Sequence, residues 1–246
     1  MHKRDRCPAL PLRCPPQTGE LLAAQCDRLV AARAGGGAAR LREVVQRSRC
    51  VKGRLLHYFP TDGEASPATP PTADGACGGG DAPPAAGGGA EAPSFSSWCG
   101  WHRDHSTLTG LTCAMYCAGE GPTLREVPNP DPASGLYIRA ADGSVVRARF
   151  GADCVAFQLG EAAQIHTAGL LRATPHCVRA AAGAAAAGVG RNTFAVFLQP
   201  NYDEAMDTPP GLAAPDGRAI GVPQWQPGCD FGEFALATVK AHAVDS

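Results

Sequence analysis

No uninterrupted apolar run in this chain approaches the roughly 20 residues a membrane helix needs. The opening, Met1 to Pro8, also lacks the apolar core of a secretion signal, and Asp5 and Glu20 interrupt a segment that a plastid transit peptide would keep poor in acids. Charge of one sign is missing as well: the formal net charge of -1 over 246 residues offers no electrostatic basis for gripping nucleic acid. There is no CxxC pair. The 11 cysteines, an odd number scattered from Cys7 to Cys229, read as reduced and mostly buried thiols rather than a disulfide framework. Cys113 and Cys117 stand four apart in a segment read as strand, where that spacing makes no compact metal clip. These absences point to a cytoplasmic protein that binds small molecules rather than membranes or nucleic acid. With no signal for self-association it reads as a monomer, and a plastid location stays open only if the N-terminus is incomplete.

What is present divides into a short helical piece and a longer β-rich one. Gly19 to Val30 and Ala39 to Gln46 carry Leu, Val and Ala at helical spacing, broken by the glycines of 35–37, so residues 1–50 are read as an N-terminal helical segment. Residues 51–246 then form the main domain. Lys52 to Pro60 reads as a strand, with Leu55, His57 and Phe59 on one face and Leu56 and Tyr58 on the other. From 61 to 93 the composition collapses to Gly, Ala and Pro with a few acids and no large apolar residue, a flexible insertion without the means to build a core. Short strands are predicted over Leu108–Tyr116, Gly135–Ala140, Ser144–Phe150, Cys154–Gln158, Ala163–Thr167, Arg172–Arg179 and Thr193–Leu198, with a two-residue hairpin at Asp142-Gly143. So many short strands argue for a sandwich or jelly roll.

Within this frame, His102 and Asp104 stand two apart, so an extended backbone turns both side chains to one face. Chance supplies a His-x-Asp triplet in roughly one chain in four of this length, so the pair alone is weak. Its weight comes from order: the pair opens the strand series, His176 follows near its end, and Arg191 and Thr193 open the last strong strand. Two imidazoles and a carboxylate on one face of a divalent ion leave the other face free, the arrangement of non-haem Fe(II) oxygenases. His105 and His166 compete with His176 for the third position, but His105 would point to the opposite strand face and His166 lies in an apolar run. Arg191 and Thr193 alternate onto one side of a strand, where a guanidinium fork and a hydroxyl suit a carboxylate. Trp98, Trp101 and Gln158 are candidates for shaping a pocket, with core packing the favoured role for the two tryptophans.

The ordered segments Gly53–Pro60, Trp101–His105, Gly135–Ile138, Phe157–Glu161, Leu171–His176, Arg191–Phe197 and Pro223–Gly232 resemble the isopenicillin N synthase-like branch of the 2-oxoglutarate- and Fe(II)-dependent oxygenases, most of all a plant and green-algal group within it. The resemblance implies a mainly β fold, a double-stranded β-helix or jelly roll behind a short helical segment. It implies Fe(II) on His102, Asp104 and His176, 2-oxoglutarate held by Arg191 and Thr193, and ascorbate as a possible reductant. Dioxygen and a small organic substrate would then react with release of succinate and CO2, as hydroxylation, desaturation or ring closure. Three departures stand out. Where the family strand usually reads Asn-Tyr-Tyr-Pro, this chain has His57-Tyr58-Phe59-Pro60, so the second tyrosine is lost and His57, on the same face, becomes a candidate for holding the cosubstrate. The link 180–190 is longer than usual, as a surface hairpin extension, and the N-terminal helical region is short. An iron oxidase that needs no 2-oxoglutarate and a non-catalytic jelly-roll binding protein are the alternatives; succinate release separates the first, and the retained ligand set argues against the second.

Overall fold

The computed structural model describes residues 14–34, 39–61, 97–212 and 220–243. Apart from Thr61, the predicted insertion 61–93 lies outside the described residues. Ten strands run as β1 (Lys52–Tyr58), β2 (Ser97–His102), β3 (Leu108–Thr112), β4 (Met115–Ala118), β5 (Arg125–Val127), β6 (Gly135–Arg139), β7 (Val145–Arg147), β8 (Val155–Leu159), β9 (His176–Arg179) and β10 (Val189–Leu198). Among the described residues four α-helices accompany these ten strands: α1 (Cys14–Arg33), α2 (Leu41–Arg47), α3 (Glu161–His166) and α4 (Phe231–Ala243). The larger sheet is ordered β5-β4-β10-β3-β8 with β1 on the other edge of β10, and the smaller is β2-β9-β6-β7. Every strand pair among the described residues is antiparallel. The two sheets face each other across a cavity lined from both, a jelly roll.

Alternation along β10 decides what lies on each side of the larger sheet. Phe194, Val196 and Leu198 face outward against Ala23, Val30, Leu41 and Val45 of α1 and α2, whereas Arg191, Thr193, Ala195 and Phe197 face the cavity. Val30, Leu41 and Leu198 are at most 1% exposed, and burial of each such side chain contributes about 1.5–3 kcal/mol. α1 lies so close to the sheet that a Cβ at Gly19 would run into the Leu198 side chain. Asp27 of α1 closes the start of α2, its two carboxylate oxygens accepting from the Leu41 and Arg42 backbone N–H groups at 2.9 and 3.0 Å. That supplies the cap that Arg40 does not.

Four sequence expectations are corrected. Ala163–Thr167, expected as strand, belongs to α3, which starts at Gly160 with Glu161 in its first turn. A short apolar run does not distinguish the two states, and this one is buried on every side. Leu108–Tyr116 is two strands, because the pairing with β10 shifts by one residue between Ala195↔Leu111 and Asn192↔Met115. β9 begins only at His176, because the backbone N–H groups of Ala173 and Thr174 are spent on Gln164 Oε1 and the Leu159 carbonyl. The 180–190 link holds a single 3-10 turn, Ala184–Ala186, before β10, which starts at Val189 rather than at Thr193. α4, absent from the sequence expectations, packs Phe231 and Phe234 against Ala162, Ile165 and Met206.

His166, on α3, is fully buried. Its Nε2 lies 3.2 Å from the Ala205 carbonyl and so donates to it, while Nδ1 has no partner among the described residues. Burial pushes its pKa down to about 4, helped by nearby Arg40 and opposed by the Ala205 bond and by Asp207. A histidine depressed in the folded state stabilises fully above its unfolded value near 6.5, and that stability is lost as the pH falls towards 4. Between pH 7 and pH 5 the loss is about 2 kcal/mol from this residue alone. Urea unfolding of His166→Gln should therefore show a shallower decline over that window than the parent, and parallel declines would refute the assignment.

Candidate metal centre and anion pocket

The pairing of β2 with β9 sets His102 directly opposite His176, with ring centroids 4.1 Å apart. Asp104 follows in the loop beyond β2. That loop is tied to the start of α3, since the Glu161 N–H donates to the Asp104 carbonyl at 2.7 Å. Asp104 Oδ1 then lies 3.9 Å from His102 Nε2 and 3.8 Å from His176 Nε2. The three ligand atoms fall within 4.8 Å of one another, and no other such group of three exists among the described residues.

The outer hydrogen bonds determine which ring nitrogen is free. His102 Nδ1 is 2.8 Å from the Gly100 carbonyl and His176 Nδ1 is 2.9 Å from the Thr174 carbonyl. A carbonyl only accepts, so each Nδ1 carries a proton, and each ring in its neutral form turns an Nε2 lone pair into the cluster. The Gln158 amide fills the gap between ligands: its Nε2 donates to Asp104 Oδ2 at 2.6 Å and lies 3.1 Å from His176 Nε2. A donor in contact with both a carboxylate and an imidazole lone pair occupies the kind of electropositive position a cation takes. Burial opposes a charge on His102, but the Cys99 sulfur, the Gly100 carbonyl and Asp104 outweigh it and push its pKa up to about 9. His176 is held below the ordinary imidazole range by burial and by His102 beside it, against the pull of Asp104. A cation binding here would compete with protons, so its affinity rises with pH. Two Nε2 atoms and one carboxylate, all with their outer bonds made, suit a divalent iron.

Next to this cluster the cavity has a volume of about 400 Å³. Arg191 lies on its wall, 6% exposed, and its Nε and Nη1 have no hydrogen-bond partner among the described residues. Unpaired guanidinium donors at that depth are costly unless an anion meets them. Tyr58 lies across the strand pair from Arg191, and the guanidinium sits 5.2 Å from its ring centroid. Thr193, one alternation further, faces the same cavity and donates its hydroxyl to the Thr112 carbonyl at 3.0 Å. Leu111, Val178, Ala195 and Phe197 supply apolar wall.

The structure thus brings together His102, Asp104, His176, Arg191 and Thr193, and leaves His57 outside. The β1–β10 register pairs His57 with Asn192, on the face opposite Arg191. There its Nδ1 meets Asn192 Oδ1 at 2.7 Å and its ring packs edge-on against Phe59, which is 74% exposed. Tyr58, from the other strand face, lines the cavity beside Arg191 instead. The alternation in the sequence separated the two faces but carried no signal for which one turns inward. His105 packs near Phe231 and His166 lies on α3, both away from the cluster. Trp98 donates to the Phe59 carbonyl and Trp101 lies under Arg139, so neither lines the cavity. Gln158 does, in contact with two of the ligands.

No protein-family profile matches the chain, and no curated protein matches it. Solved structures do. A full-length Neurospora crassa protein in complex with alpha-KG aligns over 93% of this chain and 55% of its own length, at 18% identity and a TM-score of 0.53. The dioxygenase for auxin oxidation of rice aligns over 92% and 56%, at 16% identity and 0.52. A 2OG-Fe(II) oxygenase family protein from Caulobacter crescentus aligns over 91% and 57%, at 16% identity and 0.54. The chain spans little more than half the length of these structures. At such identities the likeness carries the fold, and the fold of this chain is the jelly roll of the 2-oxoglutarate- and Fe(II)-dependent oxygenases.

Proposed function

We propose that the chain is an Fe(II)- and 2-oxoglutarate-dependent dioxygenase that oxidises, by hydroxylation, a small organic molecule held in the cavity. The observation that carries this reading is the juxtaposition of the His102–Asp104–His176 cluster, both Nδ1 atoms pinned by backbone carbonyls, with the Arg191 guanidinium in the same cavity, its Nε and Nη1 without a partner among the described residues. Bound Fe(II) supplies the dioxygen chemistry that couples decarboxylation of 2-oxoglutarate to succinate and CO2 with oxidation of a substrate C–H bond. The protein's part is position and exclusion. His102, Asp104 and His176 would hold the iron, and the cavity beside them would take the 2-oxo acid end of the cosubstrate. Gln158 holds Asp104 Oδ2, which keeps Oδ1 turned to the imidazoles. Arg191 offers two free N–H donors to the distal carboxylate, with the Tyr58 ring at its flank, and the apolar wall keeps water from the reacting atoms.

The test is anaerobic titration with Fe(II) followed by succinate measurement. One iron per chain and succinate formed with the consumption of 2-oxoglutarate are expected. Iron affinity no greater than that of a double His176→Ala, Asp104→Ala variant would sink the reading, while oxygen uptake without succinate would move it to an oxidase. Arg191→Gln should weaken 2-oxoglutarate binding by roughly ten- to a hundredfold, the worth of a charge-assisted fork, and leave iron binding unchanged. Equal cosubstrate affinity in the parent and this variant would remove Arg191 from the proposed site.

A further inference from the structure

The same cavity contains a second guanidinium that the iron and cosubstrate do not use. Arg147 ends β7 on the smaller sheet, paired with Tyr137 of β6, and lines the cavity together with Arg149 and Glu126. Its neighbour Val146 points outward, 43% exposed, so the alternation of the edge strand turns Arg147 inward. It leans across Gly135, its Nε 3.6 Å from where a Cβ there would lie. Among the described residues Arg147 makes no hydrogen bond and no ion pair, even though Glu126 lines the same space. A half-buried fork aimed into a cavity without a partner is an unfilled anion contact.

Charge balance points the same way. In the loaded site the iron dication offsets the 2-oxoglutarate dianion, and Arg191 offsets Asp104. Of the charged groups lining the cavity, that leaves Arg147 and Arg149 against Glu126, one positive charge in excess. A cavity with low-dielectric walls focuses that charge on whatever enters. The geometry points to a substrate that is itself an anion, a small organic acid whose carboxylate is taken by Arg147. This assignment rests on the dioxygenase reading for the place of the iron and cosubstrate, and it adds the class of molecule that is oxidised.

The experiment uses matched pairs of probes that differ only in charge: phenylacetate against phenylacetamide, and hexanoate against hexanamide. They are titrated calorimetrically into the full chain loaded with Mn(II), which binds without turnover, and saturating 2-oxoglutarate. Each carboxylate should bind on the order of tenfold more tightly than its amide. That preference should vanish in Arg147→Gln and partly return in Arg147→Lys, which keeps the charge and loses the fork. Equal binding of carboxylate and amide by the parent, or a preference that survives Arg147→Gln, overturns the proposal. The loading step reports separately on the dioxygenase reading. If 2-oxoglutarate does not bind, that reading fails. The same probes on the unloaded chain then decide the anion contact, with Arg191→Gln as the variant that distinguishes the two guanidiniums: loss of the preference in Arg147→Gln supports the assignment, and loss only in Arg191→Gln overturns it. Unchanged circular dichroism confirms that each variant is folded.

Discussion

His176→Ala is expected to abolish stoichiometric metal binding and, on the proposed function, 2-oxoglutarate turnover, while the fold survives; Asp104→Ala is expected to do the same. Loss of even an outer hydrogen-bond partner of a metal ligand costs roughly 10–100-fold in affinity, so loss of one of three ligands exceeds that range. The β9 backbone is held by its pairing with β2 and β6, which a change of side chain leaves in place. The side chain itself is 5% exposed and touches Gln158 and the Thr174 carbonyl, so the stability cost is that of a modest cavity. Asp104→Ala differs in one respect: it strips the Gln158 amide of its 2.6 Å acceptor, leaving a buried donor unmet at about 1–3 kcal/mol. Calorimetry with Mn(II), paired with circular dichroism, checks both variants. Metal affinity like that of the parent in either one would remove that residue from the site.

Gly160→Ala is expected to cost at least about 3 kcal/mol and to dismantle the metal site with the same stroke. The backbone there has φ -104° and ψ 176°, open to any residue, so conformation is not the constraint. Space is. A Cβ at Gly160 would run into the Ser106 carbonyl oxygen and lie 2.8 Å from that of Asp104. Both are backbone atoms, and they cannot swing aside as a side chain would. The Gly160 N–H donates to the Thr107 carbonyl at 3.1 Å and the Glu161 N–H to that of Asp104 at 2.7 Å. Relief therefore means parting α3 from the loop that carries Asp104, and the carboxylate moves with it. Gly100→Ala, where an added Cβ meets nothing within 4 Å among the described residues, is the control that should keep both stability and metal affinity. If Gly160→Ala unfolds at the same urea concentration as the parent, the close approach is not structural.

Part of the site was legible in the sequence because Arg191 and Thr193 lie on a strand whose period is two, and both face the cavity from β10. His102 and Asp104 also line that cavity, but Asp104 does so from the loop beyond β2 rather than from the strand face that the spacing predicted. The hairpin predicted at Asp142-Gly143 does join β6 and β7, but through a three-residue turn, 141–143, rather than two residues, since Arg139 pairs with Val145 and the Ala140 N–H donates to the Ser144 carbonyl. Where the reading failed, a tertiary neighbour had overridden a local signal. Ala162 and Ile165 are apolar in any state, and what makes them helical is the helix start at Gly160 and the packing of Phe231 and Phe234 from a distant segment. Leu55–Phe59 alternates plainly, but an edge strand can present either face, and only its register against β10 put Tyr58 rather than His57 beside Arg191.

The sequence by itself determined the donor types and their order along the chain, two imidazoles and a carboxylate of the kind that suits a divalent metal. Such chemistry resides in side-chain identity and in the two-residue period of a strand. Only the tertiary structure decided that His176, rather than His105 or His166, joins the pair, because that depends on β9 lying against β2. It also decided that Gln158 braces Asp104 and that Arg147 and Arg191, 44 residues apart in sequence and on opposite sheets, share one cavity. Contacts between strands distant in sequence are set by register and sheet closure, which no local pattern encodes.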